Sequence, residues 1–293
     1  MKVAIASGKG GTGKTTVATN LAWVAAQSGC TVSYVDCDVE EPNGHLFLKP
    51  QVISARSIGR LHPQVDAGKC NQCGLCGDIC QYSAIVCVGK KVLVYPELCH
   101  SCGGCTLVCP AGAITEISRV IGKLETGLAG PIHFAHGVLN IGEAMCTPLI
   151  HQLKTEVASE GLSIIDSPPG TSCPVIESVR DTDLVLLVTE PTPFGLNDLK
   201  LAVEMVRALK LPLAVVINRA DIGDTETKEY CRNEGVSILV EIPDNRRVAE
   251  AYSGGVLASE SVPEFRRSIE ALYARLFESN WKTSPTLAHG AAQ

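Results

Sequence analysis

Apolar residues follow two rhythms along this chain. Short unbroken or β-branched runs lie at residues 3–7, 31–36, 162–166, 184–189, 212–218 and 236–242. At 15–27, 196–209 and 225–234 the apolar positions recur at helical spacing instead. Short buried strands alternating with helices predict an α/β fold with a doubly wound, mostly parallel sheet covered on both faces. Residues 263–277 place Phe265, Ile269, Leu272 and Leu276 on one helical face, a packing stripe. The small polar residues from 278 to 293 read as a frayed tail.

The rhythm breaks between residues 61 and 118, where eight cysteines stand in two regular groups with many glycines and little periodicity. Gly122, Gly127 and Gly130 then predict an irregular connection with a strand or two. The expected organisation is a first α/β part at 1–60, a small insertion at 61–117 and a second α/β part at 118–293.

Ligands of such sheets bind outside the carboxyl ends of the strands. Ser7, Asp38, Asp166, Glu190 and Asn218 all lie at or just past strand ends, so they are expected to converge. Between the first strand and the first helix runs Gly8-Lys9-Gly10-Gly11-Thr12-Gly13-Lys14-Thr15, the pattern G-x-x-x-x-G-K-[ST]. Its glycines let backbone N–H groups curl around phosphate oxygens, Lys14 can reach the β/γ-phosphates, and the Thr15 hydroxyl can ligate Mg²⁺. These residues and the adjoining Thr16 are the candidate nucleotide-binding loop.

Composition narrows the function. Hydrophobic residues make up 45% and aromatic ones 4%, which suits the aliphatic core of a buried parallel sheet. A net charge of −6 argues against nucleic acid as a partner. No apolar run is long enough to span a bilayer, and the chain opens directly on a strand rather than a leader. A cytoplasmic protein is therefore expected, in which the fourteen cysteines stay reduced and clustered ones serve as metal ligands.

Cys70-x₂-Cys73-x₂-Cys76-x₃-Cys80 is followed by Cys99-x₂-Cys102-x₂-Cys105-x₃-Cys109-Pro110. This is the spacing of two-cluster bacterial ferredoxins, whose fourth cysteine serves the other cluster. One 4Fe-4S cluster would take Cys70, Cys73, Cys76 and Cys109, and the second Cys99, Cys102, Cys105 and Cys80. Gln81 stands where the pattern has proline, and Cys87 is additional. Paired zinc sites are the alternative, although zinc generally uses separated C-x₂-C pairs. With little apolar core, a small α+β ferredoxin-like insert would be held folded by its clusters. Cys30, Cys37 and Cys231 have no spacing partner and read as core or surface thiols; His133-x₂-His136 could bind metal but lacks a third ligand nearby, so packing is its expected role.

A lysine directly after the first glycine, Lys9, resembles the deviant Walker A of the MinD/ParA/nitrogenase iron protein superfamily. The resemblance covers nearly the whole chain and implies an ATPase that forms a nucleotide-dependent homodimer, or a dimer with a related subunit, in which Lys9 reaches the partner's nucleotide. Tyr34-Val35-Asp36-Cys37-Asp38 is similar to the family's switch I, with Asp38 at the attacking water and Asp36 on the Mg²⁺ side. Ile164-Ile165-Asp166-Ser167-Pro168-Pro169-Gly170 is similar to Walker B and switch II, with Asp166 near the Mg²⁺ shell and Gly170 sensing the γ-phosphate. Asn218-Arg219-Ala220-Asp221 and the segment around Pro243 resemble adenine-side loops, though the former also approximates the N-K-x-D of GTPases. Cys173 lies where the nitrogenase iron protein carries a subunit-bridging cluster ligand; the second such ligand has no clear match, although Cys146 lies in the intervening stretch. The expected role of Cys173 is that of a buried structural thiol, with the bridging ligand as the alternative.

Together, the motifs and the resemblance imply an ATP-binding, ATP-hydrolysing iron–sulfur protein with a redox or iron–sulfur client. Hydrolysis would gate electron transfer through the two clusters; the alternative is a carrier or scaffold for cluster assembly. A MinD/ParA-like positioning switch fits less well, since the chain closes without a basic amphipathic helix.

Overall fold

The computed structural model describes residues 1–278; the tail from 279 lies outside the described residues. The chain opens with β1 (Lys2–Ser7), α1 (Lys14–Gln27), β2 (Val32–Asp36), α2 (Gly44–Leu48) and β3 (Gln51–Val65). The cysteine-rich stretch holds α3 (Leu75–Ile79), β4 (Ile85–Val88), β5 (Lys91–Val94) and α4 (Gly104–Leu107), followed by β6 (Ile114–Ala129) and β7 (Ile132–Leu139). Next come α5 (Thr147–Leu153), β8 (Leu162–Pro169), α6 (Cys173–Val179), β9 (Leu184–Thr189), α7 (Pro193–Ala208) and β10 (Leu213–Asn218). The chain finishes with α8 (Glu226–Asn233), β11 (Ile238–Ile242), α9 (Arg246–Ser253), α10 (Ala258–Ser261) and α11 (Pro263–Glu278).

Nine strands form one sheet in the order β11-β10-β9-β1-β8-β2-β7-β6-β3. The pairs from β11 to β7 are parallel, as the alternation of strands and helices requires. Register sets the chemistry: Asp166 on β8 stands opposite Ile5 on β1 and Asp36 on β2. Two carboxylates therefore arrive side by side beyond the loop that follows β1.

Strands β6 and β7 run through the stretch where the glycines predict an irregular connection with a strand or two, and the long β3 spans the expected start of the insertion. The first seven positions of β3 are exposed, so no apolar alternation marks it. Gly127 in β6 is a packing glycine rather than a turn: a Cβ there would stand 2.2 Å from the Gln51 carbonyl oxygen.

Two compact units result. One comprises Met1–Ala55, Leu124–Val138 and the chain from Ile150; the other comprises Arg56–Lys123 and Leu139–Leu149. The insertion boundaries expected at 60/61 and 117/118 fall inside β3 and β6. The first unit has a large aliphatic core, with Val3, Ile5, Leu21, Ile164 and Leu186 essentially inaccessible and Ile269 and Leu272 of α11 packed in the same cluster. In the second, the buried cluster is small: Cys76, Ile85, Cys105 and Ile114, with Val65, Val92 and Val94 against it. The β4–β5 antiparallel hairpin supplies part of that cluster.

Candidate functional site

The loop after β1 turns into α1 through Gly13, whose φ of +93° is a left-handed conformation that favours glycine. A Cβ at Gly13 would also stand 2.4 Å from the Asn218 amide nitrogen. That amide donates to the Thr12 carbonyl at 2.9 Å, tying the end of β10 to the loop. A Cβ at Gly8 would strike the Asp198 carbonyl.

A cavity of about 410 Å³ opens above this loop. Ser7, Gly10, Gly11, Gly13, Lys14, Thr15, Thr16, Asp38, Asn218 and Pro243 line it; of the five strand-end residues expected to converge, Ser7, Asp38 and Asn218 belong to this lining and Asp166 and Glu190 do not. Lys9 is half-buried beside the cavity and is not part of its lining. Its carbonyl accepts from the Ser7 hydroxyl at 2.7 Å. Gly170, with a φ of +96°, donates its N–H to the Ser7 carbonyl at 2.9 Å.

Behind the cavity lies a buried charge cluster. The Lys14 ammonium is 2.7 Å from Asp166 Oδ1, and both side chains are almost wholly inaccessible. Tyr34, which sequence reasoning gave no role, donates its hydroxyl to Asp166 Oδ2 at 2.9 Å. Its only sequence signal is a tyrosine two residues before Asp36 in a short strand that also holds Ser33. Lys14, expected at the phosphates, and Asp166, expected near the Mg²⁺ shell, pair with each other here, because a buried ammonium requires an anion and Asp166 is adjacent. Asp36, expected on the metal side, gives one oxygen to the Asp38 N–H and the other to the Gly44 N–H, at 3.1 and 2.9 Å. It orients the loop after β2 and does not line the cavity.

Burial pulls the Lys14 pKa down, but Asp166, Asp38 and Asp36 outweigh it and the net shift is upward. Burial and the charge of Asp166 raise the Asp36 carboxyl well above the usual range. Burial pushes Asp38 up to about 6, against the pull of Lys14. Lys14 and Asp166 compensate each other, so Asp38, as it ionises at the cavity wall, adds a negative charge that a divalent cation would neutralise. The Thr12 and Ser167 hydroxyl oxygens are buried without a hydrogen-bond partner, which suits a polar ligand.

At the far end of the cavity, Arg219 reaches Glu190 at 3.0 Å and Asp244 at 3.5 Å. Asp221 accepts the Asp244 N–H at 2.6 Å and does not line the cavity. Asn245, Val248, Tyr252 and Phe265 form its wall. No motif signalled these residues, because side chains from α9 and α11 become neighbours of the loop only through packing.

The cysteine groups lie in the second unit. Cys70, Cys73, Cys76 and Cys109 line one cleft, the set the crossed pairing names. Cys80 and Cys109 pack against the cluster containing Cys76 and Cys105. The repeat extends to the backbone: Gln72, Gly74 and Ser83 have φ of 61°, 86° and 52°, and the residues 29 positions later, Ser101, Gly103 and Gly112, have 54°, 71° and 57°. Left-handed residues interspersed in a turn make backbone N–H groups converge, a concavity suited to anions. The Ser101 and Ala113 N–H groups already point to the sulfurs of Cys99 and Cys109, each at 3.3 Å.

No disulfide joins any of the fourteen cysteines. Among the described residues no group of three or more His, Cys, Asp and Glu side chains stands arranged to hold a metal ion. The donor set nevertheless fits iron–sulfur ligation: four cysteines share one cleft. Cys87 is 3.7 Å from Cys76, sulfur to sulfur. Cys173 is exposed at the start of α6 rather than buried, and Cys146 belongs to the other unit. His136 is bonded to Glu125 at 2.8 Å, while His133 is exposed.

Residues 3–258 match the CbiA family, the CobQ/CobB/MinD/ParA nucleotide-binding domain. The chain belongs to this family. An uncharacterized protein of Methanocaldococcus jannaschii is 32% identical to this CbiA-family chain over 95% of it and 97% of the relative. The iron-sulfur cluster carrier protein of Pyrococcus abyssi is 26% identical over 87% of this chain and 78% of its own. The fold is similar to that of the septum site-determining protein MinD of Pyrococcus horikoshii complexed with Mg-ADP. The TM-score is 0.59 at 19% identity, covering 94% of this chain and 96% of that one. Among the described residues of this CbiA-family protein no helix is long and apolar enough to cross a membrane.

Proposed function

We propose that this protein is an ATP-dependent iron–sulfur cluster carrier of the CbiA family. The observation that carries the reading is a cysteine repeat duplicated in both spacing and backbone, in one chain with a phosphate-loop cavity. The name of the Pyrococcus abyssi relative supports cluster carriage over the gated electron transfer that the ferredoxin spacing alone suggests. Cys70, Cys73, Cys76 and Cys109 hold one 4Fe-4S cluster, and Cys99, Cys102, Cys105 and Cys80 the other. Exposed Cys173 is free to meet a second subunit across a dimer interface, as a bridging ligand would have to.

In the nucleotide site, backbone N–H groups of Gly10, Gly11 and Gly13 cradle the phosphates, and Lys14 exchanges Asp166 for a phosphate oxygen. Thr15 and Asp166 would hold Mg²⁺, which supplies charge neutralisation at the β- and γ-phosphates. Asp38 faces the cavity at the end of β2 and orients the attacking water. Lys9, outside the lining of its own cavity, serves a partner's nucleotide in an ATP-bound dimer. Engagement of Asp221 by the Asp244 N–H favours adenine over guanine.

Anaerobic reconstitution with iron and sulfide, followed by transfer to an apo-ferredoxin with ATP, ADP or no nucleotide, tests the reading. Two clusters per chain and a transfer rate that depends on nucleotide are expected, with that dependence lost in Lys14→Gln. Retention of all iron under every condition, with nucleotide-dependent reduction of an electron acceptor, would replace carriage by electron transfer. No iron uptake would refute both.

A further inference from the structure

The two cysteine loops share a backbone but not an anchor. The stretch entering Cys99 is held by Arg60, which is only 5% exposed. Its Nη1 donates to the Cys99 carbonyl, and its Nη2 donates to the carbonyls of Pro96 and Glu97 at 2.8 and 3.0 Å. Glu143, its carboxylate 1% exposed, lies 3.6 Å from Arg60 and 2.7 Å from Arg119. Arg119 in turn reaches Glu97 at 3.6 Å. A buried guanidinium thus spans three carbonyls, with a buried carboxylate 3.6 Å from it as counter-charge.

The stretch entering Cys70 has a different support. Backbone bonds tie it, the Cys70 N–H to the Asp66 carbonyl at 3.1 Å and the Asp66 N–H to the Ala113 carbonyl at 2.8 Å, but its side-chain contacts are exposed. Asp66 accepts the Gly68 N–H at 2.9 Å and pairs with Lys69 at 3.7 Å, with both side chains more than half exposed. Exposed pairs of this kind contribute little, because water can replace either partner. Charge-assisted bonds from a buried guanidinium have no such substitute.

Resting on the cluster-carrier function, we infer that the two sites hold their clusters unequally. The Cys70 group releases the transferable cluster, the Cys99 group retains its own, and Arg60 is the positioning residue that makes the difference. The repeat explains why two sites form; the clamp explains why one of them is a donor. Because Arg60 places positive charge against the Cys99 backbone, with carboxylates behind it, the retained cluster also has the higher reduction potential of the two.

The test uses the full chain, reconstituted anaerobically and exposed to an iron chelator or an apo-ferredoxin. Iron should leave in two equal phases separated by about tenfold, the worth of one net hydrogen bond. Cys73→Ser should abolish the fast phase and Cys102→Ser the slow one. Arg60→Met should bring the slow phase to the fast rate and lower the higher of the two potentials in an EPR redox titration, a change that simple loosening of the fold does not produce. Arg60→Lys, which keeps the charge, should give an intermediate rate and retain the potential, and it serves if the methionine variant fails to bind nucleotide. A single phase for all the iron, or phases and potentials unchanged in both Arg60 variants, would overturn this inference and leave the cluster reading intact. Failure to take up iron and sulfide would overturn both.

Discussion

Lys14 and Asp166 hold each other in a site from which water is almost wholly excluded. Removing one member of such a pair leaves a buried charge uncompensated. Lys14→Met should therefore cost about 3–5 kcal/mol in urea denaturation of the nucleotide-free protein, besides abolishing nucleotide binding. Asp38 makes a pH-dependent contribution of opposite sense to that of an ordinary salt-bridged carboxylate. Its folded-state value, raised to about 6, exceeds the unfolded one, so the folded protein binds the extra proton and stability falls as pH rises through that interval. Asp38→Asn should be more stable than the parent at pH 7 and gain nothing at pH 4, as paired denaturation curves would show. The proposed role of Lys14 is read from the spacing of the phosphate loop, and that of Asp38 from the resemblance of its segment to switch I. That of Tyr34 is read from neither, since a buried phenol is recognised as a partner of Asp166 only once β2 and β8 are in register.

Among the elements, β3 and β6 diverge most from the sequence reading. Glycine ordinarily weakens a strand, which is why Gly127 reads as part of a connection. Its true constraint is the Gln51 carbonyl, 2.2 Å from where a Cβ would lie. Gly127→Ala should accordingly destabilise by about 1–3 kcal/mol, the usual penalty for forcing atoms into a packed position. Gly130→Ala meets open space and should cost only the left-handed backbone penalty, about 1–2 kcal/mol. Comparing the two variants by denaturation separates close packing from turn geometry. By contrast, β1, β9 and β10 are legible because they are buried along their length and read as plain apolar runs.

At the scale of the whole molecule, the two units draw on different sources of stability. The first has an extensive aliphatic core; the second buries a small cluster in which two of the four central residues are cysteines. On the cluster reading, iron supplies what that core lacks. Chelation should expose residues 56–123 to limited proteolysis while nucleotide binding persists, with the cleavage sites mapped by mass spectrometry. Equal resistance before and after iron removal would show that the small core suffices.

Local spacing determined the phosphate loop, the cysteine repeat and the parallel sheet, because each depends on a few residues at short, fixed separations. Tertiary structure decided the rest. It placed Asp36 on backbone amides rather than in the cavity, set Tyr34 against Asp166, and made Arg60 a support for Cys99. These contacts join residues brought together by the fold, and only strand register and burial bring them within bonding distance.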